Sequence, residues 1–375
     1  LAFALGFFEL ARGYMLTGFP WGALGYIWAD TPVAQSAAWI GLYGLSVITV
    51  FWAACVHWLF LRKQIFWMVL VLVWVWPVAW IGGDMRLTTQ KSALTEKTVR
   101  LVQPNAPQHQ KWDPAFARLF FERSLEFTAA EPSVDLVVWP ESALPVSFEN
   151  AETLIEQIAL AADGTALLLG ALRLENEKVL NSIVYMDQNG VAKVVYDKHH
   201  LVPFGEYLPF EHWLDRIGLG FTSDLFGTGF AAGEGPKRIN IAPLGVVVPL
   251  ICYEAVFPQD VSFASQEAAV LLQLTNDAWF GPFAGPQQHL AQAKMRSIEQ
   301  GLPMIRVANT GISAMIDPYG RSLKQLGLNT AGFIDAQVPQ PAPATLYRRF
   351  EIWTVFALLF AILMLSLICR RQNSN

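Results

Sequence analysis

The sequence predicts an α/β domain inserted between transmembrane α-helices. Three observations lead there. Apolar residues crowd toward the two ends of a chain whose 375 residues are 53% hydrophobic and only 15% charged, against about 25% charged in ordinary soluble domains. Between the ends, short apolar strands alternate with amphipathic helices, the pattern of a sheet covered by helices. Residues suited to acyl chemistry stand at the ends of separate strands, where open α/β sheets place their sites.

The elements follow in order. Leu1–Leu10 opens inside an apolar helical pattern, without Met, and is expected to be the remainder of a span (about 1–12) whose bundle continues upstream. Val33–Phe60 and Ile65–Gly82 approach or exceed the roughly 20 apolar residues that cross a bilayer, as does Ile352–Cys369. Lys and Arg in short loops set orientation. Arg62 and Lys63 put the loop between the second and third spans in the cytoplasm, and Arg370 and Arg371 put the C-terminus there. The segment between must then lie outside. Arg348 and Arg349 count against this, but long translocated domains are largely exempt from the charge rule. The expected division is a truncated transmembrane bundle (1–83; spans about 1–12, 33–60 and 65–82), an extracytoplasmic domain (84–350), and a last span with a cytoplasmic tail (351–375). Trp21, Trp28, Trp58, Trp80 and Trp353 fit an interfacial belt.

Within the middle segment, strands are expected at Val99–Gln103, Leu136–Trp139, Leu167–Gly170, Ser182–Asp187, Val191–Tyr196, Val246–Cys252, Val270–Leu274, Met304–Ala308, Ser313–Asp317 and Arg321–Gln325. Helices are expected at Pro114–Ala129, with Asp113 as cap and Pro114 at its first position, at Ala151–Ala162 and at Gly285–Gln300. Gln188-Asn189-Gly190 and Pro318-Tyr319-Gly320 read as turns.

Three of these strand ends carry chemistry. One strand leads into Cys252-Tyr253-Glu254. Of the three cysteines, Cys55 and Cys369 sit in apolar runs, and Cys252 stands at a strand end followed by Tyr253 and Glu254. A thiol that cannot pair within an extracytoplasmic domain is a liability or a tool. The second strand leads into Trp139-Pro140-Glu141-Ser142, and the third into Lys198 and Glu206. Taken singly, Glu141 reads equally as a helix cap, Lys198 as a surface charge and Glu206 as a turn residue. Together they supply a base for the thiol proton, a cation for thiolate and oxyanion, and a nucleophile. His199, His200 and His289 lack metal-ligand spacing with Cys or Asp partners, so no metal and no cofactor is expected. Asn276-Asp277-Ala278-Trp279 is expected to shape the pocket. A net charge of −5 without a basic run points away from nucleic acid.

The middle segment resembles the nitrilase superfamily of carbon–nitrogen hydrolases. Longer strings resemble its membrane branch, the apolipoprotein N-acyltransferases: Leu16-Thr-Gly-Phe-Pro-Trp21, Lys111-Trp-Asp113, Trp139-Pro-Glu-Ser142, His200-Leu-Val-Pro-Phe-Gly-Glu206, Ile251-Cys-Tyr-Glu254, Thr275-Asn-Asp-Ala-Trp-Phe-Gly281 and Asn309-Thr-Gly-Ile312. The resemblance covers essentially the whole chain. It implies an αββα sandwich with Glu141 as general base, Lys198 as charge stabiliser and Cys252 as nucleophile. It further implies Glu206 as a second essential acid, and Trp112, Asn181, Tyr253 and Glu254 lining or supporting the site. It also implies a monomer in the bacterial inner membrane, its catalytic domain on the periplasmic side. That monomer would move an acyl chain from a phospholipid to the α-amine of a diacylglyceryl-modified apolipoprotein. The family often has an Arg where gapless spacing puts Asp215 here, with Arg216 next. The apolar, glycine-rich segment Trp213–Ala232 reads as a lid dipping into lipid. A membrane-tethered amidase and a dead scaffold are the competing readings.

Overall fold

The computed structural model describes residues 2–209 and 229–374. The chain opens with α1 (Ala2–Tyr14), two 3₁₀ turns (Leu24–Trp28 and Pro32–Ser36), α2 (Ala37–Leu61) and α3 (Ile65–Thr89). Counting the turn before α2, Pro32–Leu61 and Ile65–Thr89 are both long and apolar enough to cross a membrane. The third helix expected over Ile65–Gly82 therefore runs on to Thr89. Its side chains Phe66, Trp67, Val73, Trp74, Val78 and Ile81 are all exposed, as on a helix that an apolar solvent surrounds.

The central domain contributes β1 (Leu94–Gln103), α4 (Gln108–Lys111), α5 (Pro114–Thr128), β2 (Leu136–Val138), α6 (Glu152–Ala162), β3 (Ala166–Glu175), β4 (Lys178–Met186) and β5 (Ala192–Asp197). After the segment outside the described residues come β6 (Ile239–Ile241), β7 (Gly245–Ile251), α7 (Pro258–Ala264), β8 (Val270–Thr275), α8 (Gly285–Gln300), β9 (Met304–Ala308), β10 (Ser313–Ile316), β11 (Ser322–Leu326) and β12 (Gly332–Pro339). α9 (Leu346–Phe350) and α10 (Trp353–Ser374) close the chain. The cap expected at α5 is present, the Asp113 side chain accepting from the Ala115 N–H.

Two sheets form, ordered β12-β1-β2-β3-β4-β5 and β11-β10-β9-β8-β7-β6. Strand alternation explains how they stack. Val99, Leu101, Leu136 and Val138 face Val247, Ile251, Leu272 and Val307 in one core between the sheets. Their neighbours Val137 and Leu167 meet α5 and α6, with Trp139 beyond β2. Val248, Leu250 and Leu271 meet α7 and α8. The result is four layers, helix–sheet–sheet–helix. The parallel strands β1-β2-β3 and β7-β8-β9 lead at their C-terminal ends toward the same site.

The apolar helices dock on the domain through a kink. Gly41 in α2 has φ +66°, and a Cβ there would sit 2.2 Å from the Tyr347 ring. The kink frees the Leu42 N–H, which donates at 2.7 Å to the buried Glu299 of α8. Val33, Ala37 and Leu45 pack there against Met295 and Ile298.

Candidate active site

β7 ends at Ile251, and Cys252 takes a left-handed conformation (φ +50°) at the start of a 3₁₀ turn. Such a backbone costs energy for a residue with a Cβ and persists only where its surroundings enforce it. Two sets of bonds do so here. Glu254, fully buried, accepts from the Ile251 N–H at 2.6 Å with one oxygen. Its other oxygen accepts from Tyr196 Oη (2.8 Å), the His199 N–H (2.8 Å) and the His200 N–H (3.2 Å). The turn bearing Cys252 is thereby tied to the loop bearing Lys198. On the other side lies a buried ring of polar groups. Gln273 Nε2 donates to the Cys252 carbonyl at 3.0 Å, and His289 Nε2 lies 3.1 Å from the same oxygen. Arg306 donates to Gln273 Oε1 at 2.5 Å and to Asp277 Oδ2 at 2.6 Å, and His289 Nδ1 meets Asp277 Oδ1 at 2.8 Å. Burial pushes the Asp277 carboxyl up, but Arg306 and His289 outweigh it and hold it at about 2.

Glu141 follows β2. Gly170 in β3 lets it approach: a Cβ there would lie 2.6 Å from the Glu141 Cα. Asn181 of β4 donates from Nδ2 to one Glu141 oxygen at 2.7 Å, and the Asn276 N–H donates to the other at 2.7 Å. The Lys198 ammonium lies 3.9 Å from Glu141 Oε1 and donates to Glu206 Oε1 at 2.7 Å. The second Glu206 oxygen accepts from the Val202 N–H at 2.7 Å.

The electrostatics separate the roles. Burial works against charge on Lys198, yet Glu206 and Glu141 outweigh it and hold the ammonium well above the ordinary lysine range. Burial, then the Glu141 carboxylate, pushes the Cys252 thiol well up; Lys198 and the Thr275 hydroxyl pull it down. At rest the group is therefore a thiol beside an ionised lysine, and attack requires a base that takes the proton. Tyr253 is pushed up to about 12, mainly by burial.

Cys252, Glu141, Lys198, Glu206, Asn181, Tyr253 and Trp112 all line one cavity of about 1010 Å³. Its wall is mostly apolar and includes Thr17, Gly18, Phe19 and Trp21 from the segment after α1. Trp279 (71% exposed) and Phe204 (64% exposed) stand at its rim.

Residues 78–345 match the carbon-nitrogen hydrolase family, and residues 1–55 match the apolipoprotein N-acyltransferase N-terminal domain. Similar curated proteins are the apolipoprotein N-acyltransferase of Rhodopseudomonas palustris and that of Brucella melitensis biotype 1. The first is 37% identical over 410 residues of alignment, covering 100% of this chain and 74% of the relative. The second is 38% identical over 364 residues, covering 91% and 67%. The chain belongs to the apolipoprotein N-acyltransferase family. It is thus a membrane-enzyme chain with a nitrilase-like domain, as the sequence strings implied. Among solved structures, an amidase from Nesterenkonia sp. is 20% identical with a TM-score of 0.45, covering 66% of this chain and 92% of that one.

Glu254 does not line the cavity but braces the turn from behind, and of the string Asn276-Asp277-Ala278-Trp279 only Asn276 and Trp279 reach the lining. Phe230 lines the cavity, whereas Phe221, Leu225, Phe226, Asp215 and Arg216 lie outside the described residues. The linear spacing of the histidines misleads. His199 and His200 converge on Asp260, at 3.3 and 3.0 Å, with ligand atoms within 4.8 Å of one another. The outer nitrogen of His200 meets the Thr17 carbonyl at 3.2 Å. Sequence reasoning gave Lys111 no role, placed Asp277 only in a pocket-shaping string, weighed His289 only as a metal ligand, and missed Gln273 and Arg306. Lys111 is visible within the string Lys111-Trp112-Asp113; no sequence signal joins the four ring residues.

Proposed function

We propose that this chain is an N-acyltransferase working at the extracytoplasmic face of a bacterial inner membrane, through a Cys252 thioester. The observation that carries the reading is the convergence of Glu141, Lys198 and Cys252 on one wall of a large apolar cavity. That cavity is completed by the segment following the first apolar helix. A lipid can reach such a site with its acyl ester at the thiol and its chains still in an apolar environment. The names of the relatives support transfer to an apolipoprotein.

The reading assigns these steps. Glu141 takes the Cys252 proton as sulfur attacks the acyl ester carbonyl of a phospholipid. The Lys198 ammonium faces the oxyanion that forms. The carbon–oxygen bond breaks, Glu141 returns its proton to the departing lysophospholipid alkoxide, and a thioester remains. The α-amine of a diacylglyceryl-cysteine then attacks the thioester and gives its proton to Glu141. The carbon–sulfur bond breaks, an amide forms, and the thiolate recovers the proton. Glu206 keeps Lys198 charged in both halves, as a cation facing two carboxylates is less readily deprotonated.

Intact-protein mass spectrometry after incubation with phospholipid tests the reading. Wild type is expected to gain one acyl group that a lipoprotein-like peptide amine discharges, and Cys252→Ala to gain none. An adduct that water discharges as fast as the amine would mean a hydrolase instead.

A further inference from the structure

We propose that Lys111 anchors the anionic phosphodiester of the acyl donor. The inference rests on the reading of a phospholipid donor and extends it to the headgroup. Among the described residues, two cations line the cavity, Lys111 and Lys198. Lys198 is committed to Glu206 at 2.7 Å and Glu141 at 3.9 Å. Lys111 has no carboxylate partner among the described residues. Its ammonium donates to the main-chain oxygen of Glu141 at 3.1 Å and lies 5.4 Å from the centre of the Trp112 ring.

A buried cation without a counter-charge is unfavourable, and a lysine tolerates the situation by shedding its proton more easily. Burial does lower Lys111, to about 8, although Glu141 and Cys252 pull the other way. An incoming phosphodiester supplies the missing negative charge and restores the ammonium. The position is suitable. Lys111, itself 8% exposed, lines the same cavity as Cys252, next to Trp112, which is 44% exposed. In a phospholipid only the glycerol carbons separate the reacting ester from the phosphate. The neighbouring carboxylates Glu141 and Glu206 repel an anion, and Lys111 is the cation left to offset them. The diacylglyceryl acceptor carries no phosphate, so Lys111 serves the first half-reaction and not the second.

The full chain in detergent is acylated either by phosphatidylglycerol or by p-nitrophenyl palmitate, which has no phosphate, and Cys252 acylation is timed by mass spectrometry. Lys111→Met should slow the phospholipid reaction about 30-fold, the loss of one charge-assisted contact. It should slow the aryl ester far less, and leave discharge of preformed acyl-enzyme by a peptide amine at its wild-type rate. Lys111→Arg should recover most of the phospholipid rate, which also shows that the position tolerates change without unfolding. Equal slowing with both donors would make Lys111 a support for Glu141 and overturn the proposal, as would an unchanged phospholipid rate. Inorganic phosphate that protects wild type but not Lys111→Met from the aryl ester, while Lys111→Met leaves the phospholipid rate unchanged, would assign a free-anion site and overturn it as well. Wild type that reacts with the aryl ester and never with phospholipid would instead refute the donor reading itself.

Discussion

Replacing Glu141 by Gln should drive two reactions of Cys252 in opposite directions. The substitution keeps the side-chain shape and removes the charge. One carboxylate oxygen becomes an NH₂ that faces a donor, either Asn181 Nδ2 or the Asn276 N–H. Asn181 can accommodate this: its Oδ1 is buried with no partner among the described residues, so turning its amide over presents an acceptor. The fold should therefore survive at a cost of about 1 kcal/mol, one neutral hydrogen bond exchanged for a charged one. Acyl transfer loses its base and should fall about 10³-fold. The thiol, however, loses the carboxylate that ranks after burial in raising it. At a fixed pH near 8 a larger fraction is then thiolate, and alkylation of Cys252 by iodoacetamide should speed up. The assay follows both adducts on the same samples by intact mass. Alkylation that falls in proportion to acyl transfer would refute the argument, because Glu141 would then be acting through structure. Undiminished acyl transfer would refute it too.

Other perturbations have defined outcomes. Glu254→Ala strands the N–H groups of Ile251, His199 and His200 and leaves Tyr196 Oη with His199 Nδ1 alone, and should cost about 4 kcal/mol, read as a large fall in thermal midpoint together with lost acylation. Gly41→Ala forces a Cβ into the Tyr347 ring at a positive φ and should destabilise the docking of α2 by about 2–4 kcal/mol, checked by denaturation in detergent. His199 is raised from 6.5 to about 9, because Asp260 and Glu254 outweigh the opposing effect of burial. A raised histidine contributes stability that is fully present below about pH 6.5 and lost as pH rises through about 9. With partial solvent screening the contribution is about 1–2 kcal/mol. The thermal midpoint should drop across that window in wild type and drop less in His199→Gln; equal slopes would remove His199 from the account.

Local pattern carried much of the fold. The α8 and β9 boundaries coincide with the apolar periodicity, and β1, β2, β7 and β8 differ from it by a few residues at their ends. The elements that escaped sequence reasoning are those with weak local signals. β12 mixes Asp335 and Gln337 among its apolar residues, and it is held by pairing along β1. β6 and α7 are short, so their stability comes from the sheet and helix they touch and not from their own composition.

The candidate site divides along the same line. Glu141, Lys198 and Cys252 were legible because each ends an apolar strand, and a charged or nucleophilic residue at that boundary stands out against its own neighbours. Lys111 stands out only as part of a string, since nothing local distinguishes a lysine that will be buried from one that will be solvated. His199, His200 and Asp260 form a cluster because the Glu254 bonds draw the Lys198 loop against the Cys252 turn, bringing together positions about sixty residues apart. By itself the sequence determined the apolar helices, the α/β class and the candidate groups proposed to react, because periodicity and side-chain chemistry are properties of short stretches. Only the tertiary structure decided which charges are paired, which way Cys252 is turned and which cavity cation has no carboxylate partner among the described residues, because burial and distance are properties of residues that meet across the fold.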